Sequence, residues 1–277
     1  MNIYQVFYTD SGAQGNFAAI SAATGAREEQ LPLLKHEQKI PETIAHCHIS
    51  SDDNNRFKVD CFQEGRKIQC CGHGLLASAY ALFQLTDHKQ INLGEGITAE
   101  RLATGLGSSE IWLFLPSIEA SSIDIPNWTS QLLSTECSTY LTPLNAASTS
   151  PDDGYLLLQL DNQFDLDRLE VSTRVISTHT QRAVLAWQRC TKDESLIKVR
   201  YFAPQYGNDE DTATGSVLRV LGPYLNSIAG LESFTVFQCS ESGGRMRVRN
   251  LGNRVAIGGN VRSIEVKEFP AQWKMQN

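Results

Sequence analysis

The chain has 277 residues, 41% hydrophobic and 20% charged, enough for one large domain or two of about 140 residues, with a full core and no need of disulfides. Its 24 basic and 31 acidic residues leave a net charge of −7, which argues against a dedicated nucleic-acid binder, whose surface is basic. No run reaches the ~18 apolar residues of a membrane span, the start MNIYQVFYTDSG lacks the parts of a signal peptide, and seven cysteines without CxxC spacing fit reduced thiols in a cytoplasmic protein.

Short β-branched and aromatic runs with period-two alternation predict strands at 3–8, 43–49, 57–62 and 110–115 in the first half of the chain. The second half carries the same signal at 155–160, 183–188, 196–202, 234–239, 245–250 and 254–257. Two segments break the alternation and predict helices, Gly72–Leu85 and 215–229. Both are apolar on most sides, so each is expected to be surrounded by other structure. Pro223 inside the second predicts a kink or a tolerated break. Between the halves, PSIEASSIDIPNW (116–128) has two prolines and three serines without periodicity and reads as a linker. Residues 142–154 are polar and turn-rich and read as a loop.

The halves repeat. Cys71-Gly72-His73-Gly74-Leu75 aligns with Thr214-Gly215-Ser216-Val217-Leu218, 143 residues on, and the same offset puts Leu82 on Leu225 and Ala79 on Gly222. Upstream, FKVDCF (57–62) aligns with IKVRYF (197–202), 140 residues on. Each half thus contains a strand, a loop and a glycine-led apolar helix. The expected fold is α+β: two pseudo-symmetric domains, each a barrel-like curved β-sheet around a central α-helix. The domains are placed at residues 1–116, to which the strand near 260–277 can be added, and at 129–260.

The helix starts carry the chemistry. The first amides of a helix have no internal partner, and the dipole adds about half a positive charge there. Gly72 and Gly74 keep those amides free of bulk, and His73 adds one titratable group. Thr214, Gly215 and Ser216, preceded by Glu210 and Asp211, offer a matching second start. Two such starts facing one cleft would hold a small anionic substrate.

Several segments together resemble the phenazine-biosynthesis isomerase-like family, which shares the diaminopimelate epimerase fold. They are VFYTDSGAQGNFAAI (6–20), PET (41–43), CGHGLLASAYAL (71–82), YFAPQYGNDEDTATGS (201–216) and GGRMRVRNLGNRVAIGG (243–259). The resemblance implies two domains with the active site between them, a cofactor-independent isomerase that moves a proton beside a carboxylate-bearing carbon, and a possible homodimer. It assigns the acid/base glutamate to Glu42 and the site histidine to His73. The aspartate falls on Asp211 and the serine of the second helix start on Ser216. Asn16, in the GNFAAI segment, joins Gly72, Gly74, Thr214, Gly215 and Ser216 as a candidate substrate-binding residue. Pro41 stands where the family has a serine, and it removes one amide donor beside Glu42.

Glu42, if desolvated, would have a raised pKa suited to taking and returning a carbon-bound proton. Three rivals are weaker. Two-thiol epimerisation needs a thiol at each helix start, but Thr214 holds the second position, which leaves Cys71 as a small buried residue. The His46-Cys47-His48 and Cys70-Cys71-Gly72-His73 runs lack zinc-ligand spacing, so no metal is expected. A non-catalytic binder on the same fold is the third, and Pro41 is what favours it.

Overall fold

A computed structural model describes residues 2–22, 45–53, 55–63, 66–68, 70–104, 108–134 and 141–264. The chain divides into two compact units, Met1–Leu115 with Ala256–Asn277, and Pro116–Val255.

The first unit contains β1 (Asn2–Val6), β2 (Asn16–Ala22), β3 (Ala45–Asp53), β4 (Arg56–Gln63), β5 (Arg66–Ile68), α1 (Gly72–Leu85), β6 (Gln90–Gly94), β7 (Ile97–Thr104) and β8 (Ser108–Pro116). β1 runs antiparallel to β2, β2 parallel to β3, and β3 antiparallel to β4. β4 is antiparallel to β5 and parallel to β6, and β6 to β8 continue antiparallel. The strand expected at 3–8 stops at Val6 because Phe7 takes φ 65° and leaves the ladder, with its side chain fully buried. Residues 43 and 44, the head of the strand expected at 43–49, lie outside the described residues. β2, β5, β6 and β7 were not expected. β2 reads NFAAISA, whose alanines are poor strand formers and which is buried continuously from Asn16 to Ser21 rather than in alternation.

The second unit contains β9 (Ser121–Ile123), β10 (Leu133–Ser134), β11 (Asn145–Ser148), β12 (Tyr155–Gln159), β13 (Glu170–Val171), α2 (Thr173–His179), β14 (Ala183–Arg189), β15 (Leu196–Ala203) and β16 (Asn208–Asp211). It continues with α3 (Leu218–Ala229), β17 (Ser233–Gln238), β18 (Gly244–Asn250) and β19 (Arg254–Gly258), the last crossing back toward the first unit. β20 (Val261–Ile264) then pairs antiparallel with β1. β11 is antiparallel to β12, β12 parallel to β14, and β14 antiparallel to β15. β15 is antiparallel to β16 and parallel to β17, and β17 is antiparallel to β18. This is the pairing order of β1 to β7 over again, with α3 in the crossover from β15 to β17 as α1 is in that from β4 to β6. The faint sequence repeat is therefore a repeat of topology, and the chain has the expected α+β fold.

α1 matches its expected bounds. It is buried from Gly72 to Phe83 except at His73 and Tyr80, and it lies against β1, β2, β3, β4, β6, β7 and β20. α3 differs in two ways. It begins at Leu218, not at residue 215, because Leu218 N–H bonds to Gly215 O at 3.1 Å and Arg219 N–H to Ser216 O at 3.4 Å, closing a tight i→i+3 turn first. It is also one-sided: Leu218, Val220, Leu221, Tyr224 and Leu225 are buried, while Ile228 is 48% exposed. Pro223 lies inside the helix and cannot donate to Arg219 O. Ile118 N–H fills that vacancy at 2.9 Å.

The same bond corrects the linker reading. Residues 116–128 are tied into the second unit: Ser117 N–H bonds Asn253 O at 3.0 Å, and Ser121–Ile123 pairs with β11 as β9. The loop expected at 142–154 likewise contains β11, whose Ser148 hydroxyl accepts from Arg182 Nη1 at 3.1 Å. Leu132, Leu133, Leu156, Leu158, Ile176 and Phe202 belong to a core cluster of this unit. Among the described residues, no helix is long and apolar enough to cross a membrane.

Candidate active site

In the first unit the site is built from a turn and a helix start. Gly15 takes φ 64°, and a Cβ there would lie 2.0 Å from Val6 O, so only glycine admits the chain into β2 at that angle. The next residue, Asn16, is 6% exposed, and its Nδ2 lies 3.5 Å from His73 Nδ1. Two residues 57 apart in sequence therefore meet. His73 is half-buried in the first turn of α1, which contains no acidic side chain to offset the positive end of the helix dipole. Cys71 is the N-cap, without a side-chain cap bond, and its Sγ lies 3.7 Å from each ring nitrogen of His73.

Gly74 serves a purpose the sequence did not show. A Cβ there would meet Cys47 Sγ at 2.5 Å, Cys71 Sγ at 2.9 Å and Cys61 Sγ at 3.0 Å. The missing side chain makes room for three sulfurs. Cys47 and Cys61 are register partners on β3 and β4, with their thiols 2.8 Å apart. S–H donation from Cys47 and Cys61 outweighs burial and, with His73 beside it, holds the Cys71 thiol well below its ordinary pKa. Burial pushes Cys47 up, and donation to its two neighbours, together with burial, pushes Cys61 up. Cys71 is only 5% exposed, a small buried residue whose neighbours favour the thiolate.

In the second unit, Asp211 closes β16, and Thr214 Oγ1 donates to its Oδ2 at 2.5 Å. Thr214 N–H bonds Gln238 Oε1 at 2.7 Å, and Gln238 Nε2 donates back to Asp211 O. Gln238 is fully buried at the end of β17, so one amide side chain fixes the loop 211–214 from below. Gly244 lets Ala213 approach: a Cβ on it would be 2.4 Å from Ala213 Cβ. Glu210 is committed elsewhere, to a bidentate pair with Arg200 at 2.7 Å for both bonds. The N–H groups of Gly215, Ser216 and Val217 precede α3, and Thr214 and Ser216 are 4% and 8% exposed.

The structure thus brings Asn16, Gly72, His73 and Gly74 together in one unit, and Asp211, Thr214, Gly215 and Ser216 in the other. Glu42 and Pro41 lie outside the described residues. Sequence reasoning missed Gln238, whose only signal was an amide in an otherwise apolar strand, and missed the convergence of Cys47 and Cys61 on Cys71. Among the described residues, no group of three or more His, Cys, Asp or Glu side chains is arranged to hold a metal ion.

Residues 4–264 match the family model described as phenazine biosynthesis-like protein. An uncharacterized isomerase of Halalkalibacterium halodurans is 24% identical over 266 residues, covering 93% of each chain. Among solved structures, a phenazine biosynthesis protein of the PhzF family from Enterococcus faecalis superposes with a TM-score of 0.77 at 18% identity, covering 95% of this chain and 97% of that one. A protein of Pseudomonas aeruginosa described as a predicted epimerase gives 0.64 at 19% identity, covering 96% and 98%.

Proposed function

The chain belongs to the phenazine biosynthesis-like protein family, and from that premise we propose that it is a cofactor-independent isomerase acting on a small carboxylic acid. Glu42 takes a proton from a carbon beside the carboxylate and returns it to another carbon. His73 and Asp211 orient the substrate, and Asn16 holds the His73 ring. The amides at Gly72, Gly74, Gly215 and Ser216 receive the carboxylate or the enolate charge that develops as the proton leaves, while Thr214, whose N–H and hydroxyl are given to Gln238 and Asp211, positions Asp211 rather than donating to the substrate. The observation that supports this best is the meeting of Asn16 with His73 at the uncapped, acid-free start of α1. A titratable group beside helix-start amides that the N-cap side chain does not engage suits a carboxylate that must be held while its neighbouring carbon is deprotonated. Thr214 gives no support to two-thiol epimerisation, since its hydroxyl already donates to Asp211.

The test begins with thermal-shift screening of small cyclic and aromatic carboxylic acids, followed by solvent-deuterium exchange on those that bind. Wild-type protein should exchange or transfer a carbon-bound proton. Glu42→Gln should bind within about tenfold, ~1.4 kcal/mol, and lose ~10²–10⁴ in the chemical step. Wild-type binding without exchange would leave a binding protein; exchange that survives in Glu42→Gln would remove Glu42 from the mechanism.

A further inference from the structure

We propose that Cys47, Cys61 and Cys71 form an oxidant-responsive thiol site in the first unit, where Cys71 takes the oxidant and Cys47 and Cys61 end as a disulfide across β3 and β4. This goes beyond the isomerase reading and does not depend on it. Cys47 and Cys61 face each other in antiparallel register with sulfurs 2.8 Å apart. Directly opposed residues on antiparallel strands have Cα atoms about 4.5–5.5 Å apart, within the range a disulfide spans, so the bond needs no backbone movement. All three sulfurs fall within 3.0 Å of the single point that a Cβ on Gly74 would occupy. Cys71 sits at the positive end of α1 beside His73, the setting in which a thiol reacts as thiolate. At 5% exposure Cys71 is out of reach of bulky disulfides, and the oxidant proposed is a small hydroperoxide. The three do not form a metal centre. Cys239, buried in the other unit with its pKa pushed up by desolvation, is the inert contrast.

The chemistry closes with hydrogen peroxide as oxidant. Cys71 thiolate attacks one peroxide oxygen, the O–O bond breaks, the sulfur becomes a sulfenic acid, and hydroxide leaves. That hydroxide takes the Cys61 proton to give water. Cys61 thiolate attacks the Cys71 sulfur, an S–S bond forms, the S–O bond breaks, and the departing hydroxide takes the Cys47 proton to give a second water. Cys47 thiolate then attacks the Cys61 sulfur, forming Cys47–Cys61 and releasing Cys71 as thiolate. Two thiols are oxidised, one peroxide is reduced, and two waters form. The oxidised pair has no S–H to donate, so Cys71 loses both donors and the surroundings of His73 change.

The test uses the full chain, reduced, exposed to hydrogen peroxide, denatured, alkylated and digested with trypsin. Cleavage after Arg56, Lys58, Arg66 and Lys67 separates the three cysteines into different peptides, so each cross-link is distinct by mass. The expected product is a Cys47–Cys61 cross-link, lost on reduction with dithiothreitol, that forms at least tenfold more slowly in Cys71→Ser. Should that variant not fold, dimedone added to wild type should trap Cys71 as its sulfenic acid before the cross-link appears, with fragment ions separating Cys71 from Cys70. Oxidation confined to Cys70 and Cys190, with Cys47, Cys61 and Cys71 fully alkylated, overturns the proposal. So does a cross-link that forms in Cys71→Ser at the wild-type rate.

Discussion

At the same step of the repeated topology, β4 carries Asp60 and β15 carries Arg200. Asp60 holds Lys58 at 2.8 Å and Lys67 of β5 at 2.7 Å. Arg200 holds Glu210 of β16 at 2.7 Å, and its Nη1 also donates to Leu169 O. The strand order is conserved while the charges are exchanged, and the linings behind the helix starts diverge as well. In the first unit the opposed pair is Cys47 and Cys61; at the equivalent rung of the second it is Leu185 and Tyr201. Where α1 has Gly74 against sulfur, the repeat-related residue before α3 is the fully buried Val217. The topology therefore constrains where a helix start falls along the chain, and the side chains beneath it decide whether it rests on a cluster of thiols or on a loop pinned by an amide.

The largest expected effect comes from cutting the second unit's ion pair. Arg200→Met keeps the stem beside Phe202 but strands Glu210 and the carbonyl oxygens of Leu166 and Leu169. It should cost about 3 kcal/mol in urea unfolding, and more than Asp60→Asn, whose lysines are over half exposed. Equal losses would erase the distinction drawn between the two strands. Gln238→Leu removes the acceptor of Thr214 N–H in a fully buried place and should cost about 1–3 kcal/mol. A loss below a few tenths would show that the loop holds itself.

The helix glycines should answer with opposite signs. Gly74→Ala drives a methyl into three sulfurs and should destabilise by about 1–3 kcal/mol. Gly222→Ala in α3 meets the Val255 methyls at 3.4 Å, the near edge of ordinary contact, and should gain up to about 1 kcal/mol from helix propensity. Thermal unfolding of both variants checks the pair, and a shared sign would break the contrast.

The smallest effect is acid-linked. Burial raises the Asp60 pKa, but the ammonium groups of Lys58 and Lys67 outweigh it and hold the carboxyl below its ordinary value. The stabilisation is present in full above the unfolded-state pKa of about 3.9 and is lost as pH falls through the lower folded value. Lys67→Ala should therefore move the acid-unfolding midpoint to higher pH. An unchanged midpoint would mean that the pair adds nothing to stability.

The first half-site was the more legible in sequence. The bounds of α1 could be read because Cys71 to Gly74 interrupts an apolar run sharply, and Asn16 and His73 stood out as polar residues beside glycines. The start of α3 could not be placed, because Gly215 and Ser216 look the same in sequence whether they open a helix or a tight turn, and the loop that leads into them is held by Asp211 and by Gln238, 24 residues from Thr214. β2 was lost to its alanines, and β9 to the prolines flanking it. The thiol cluster was invisible because its members lie on β3, on β4 and before α1, so only the strand register shows that they meet. Glu42 rests on sequence alone.

The pairing of β1 with β20 has a consequence for how the molecule is made. The second unit is one continuous stretch, Pro116–Val255, and β11 to β18 find their ladder partners within that stretch. The first unit begins emerging earlier but lacks the neighbour of β1 until Val261–Ile264 has been translated. Domains fold as units during synthesis, and closing so long a loop is slow. The half that leaves the ribosome first is thus the last to be finished, and until then one side of β1 stays open to chaperones or to a neighbouring nascent chain.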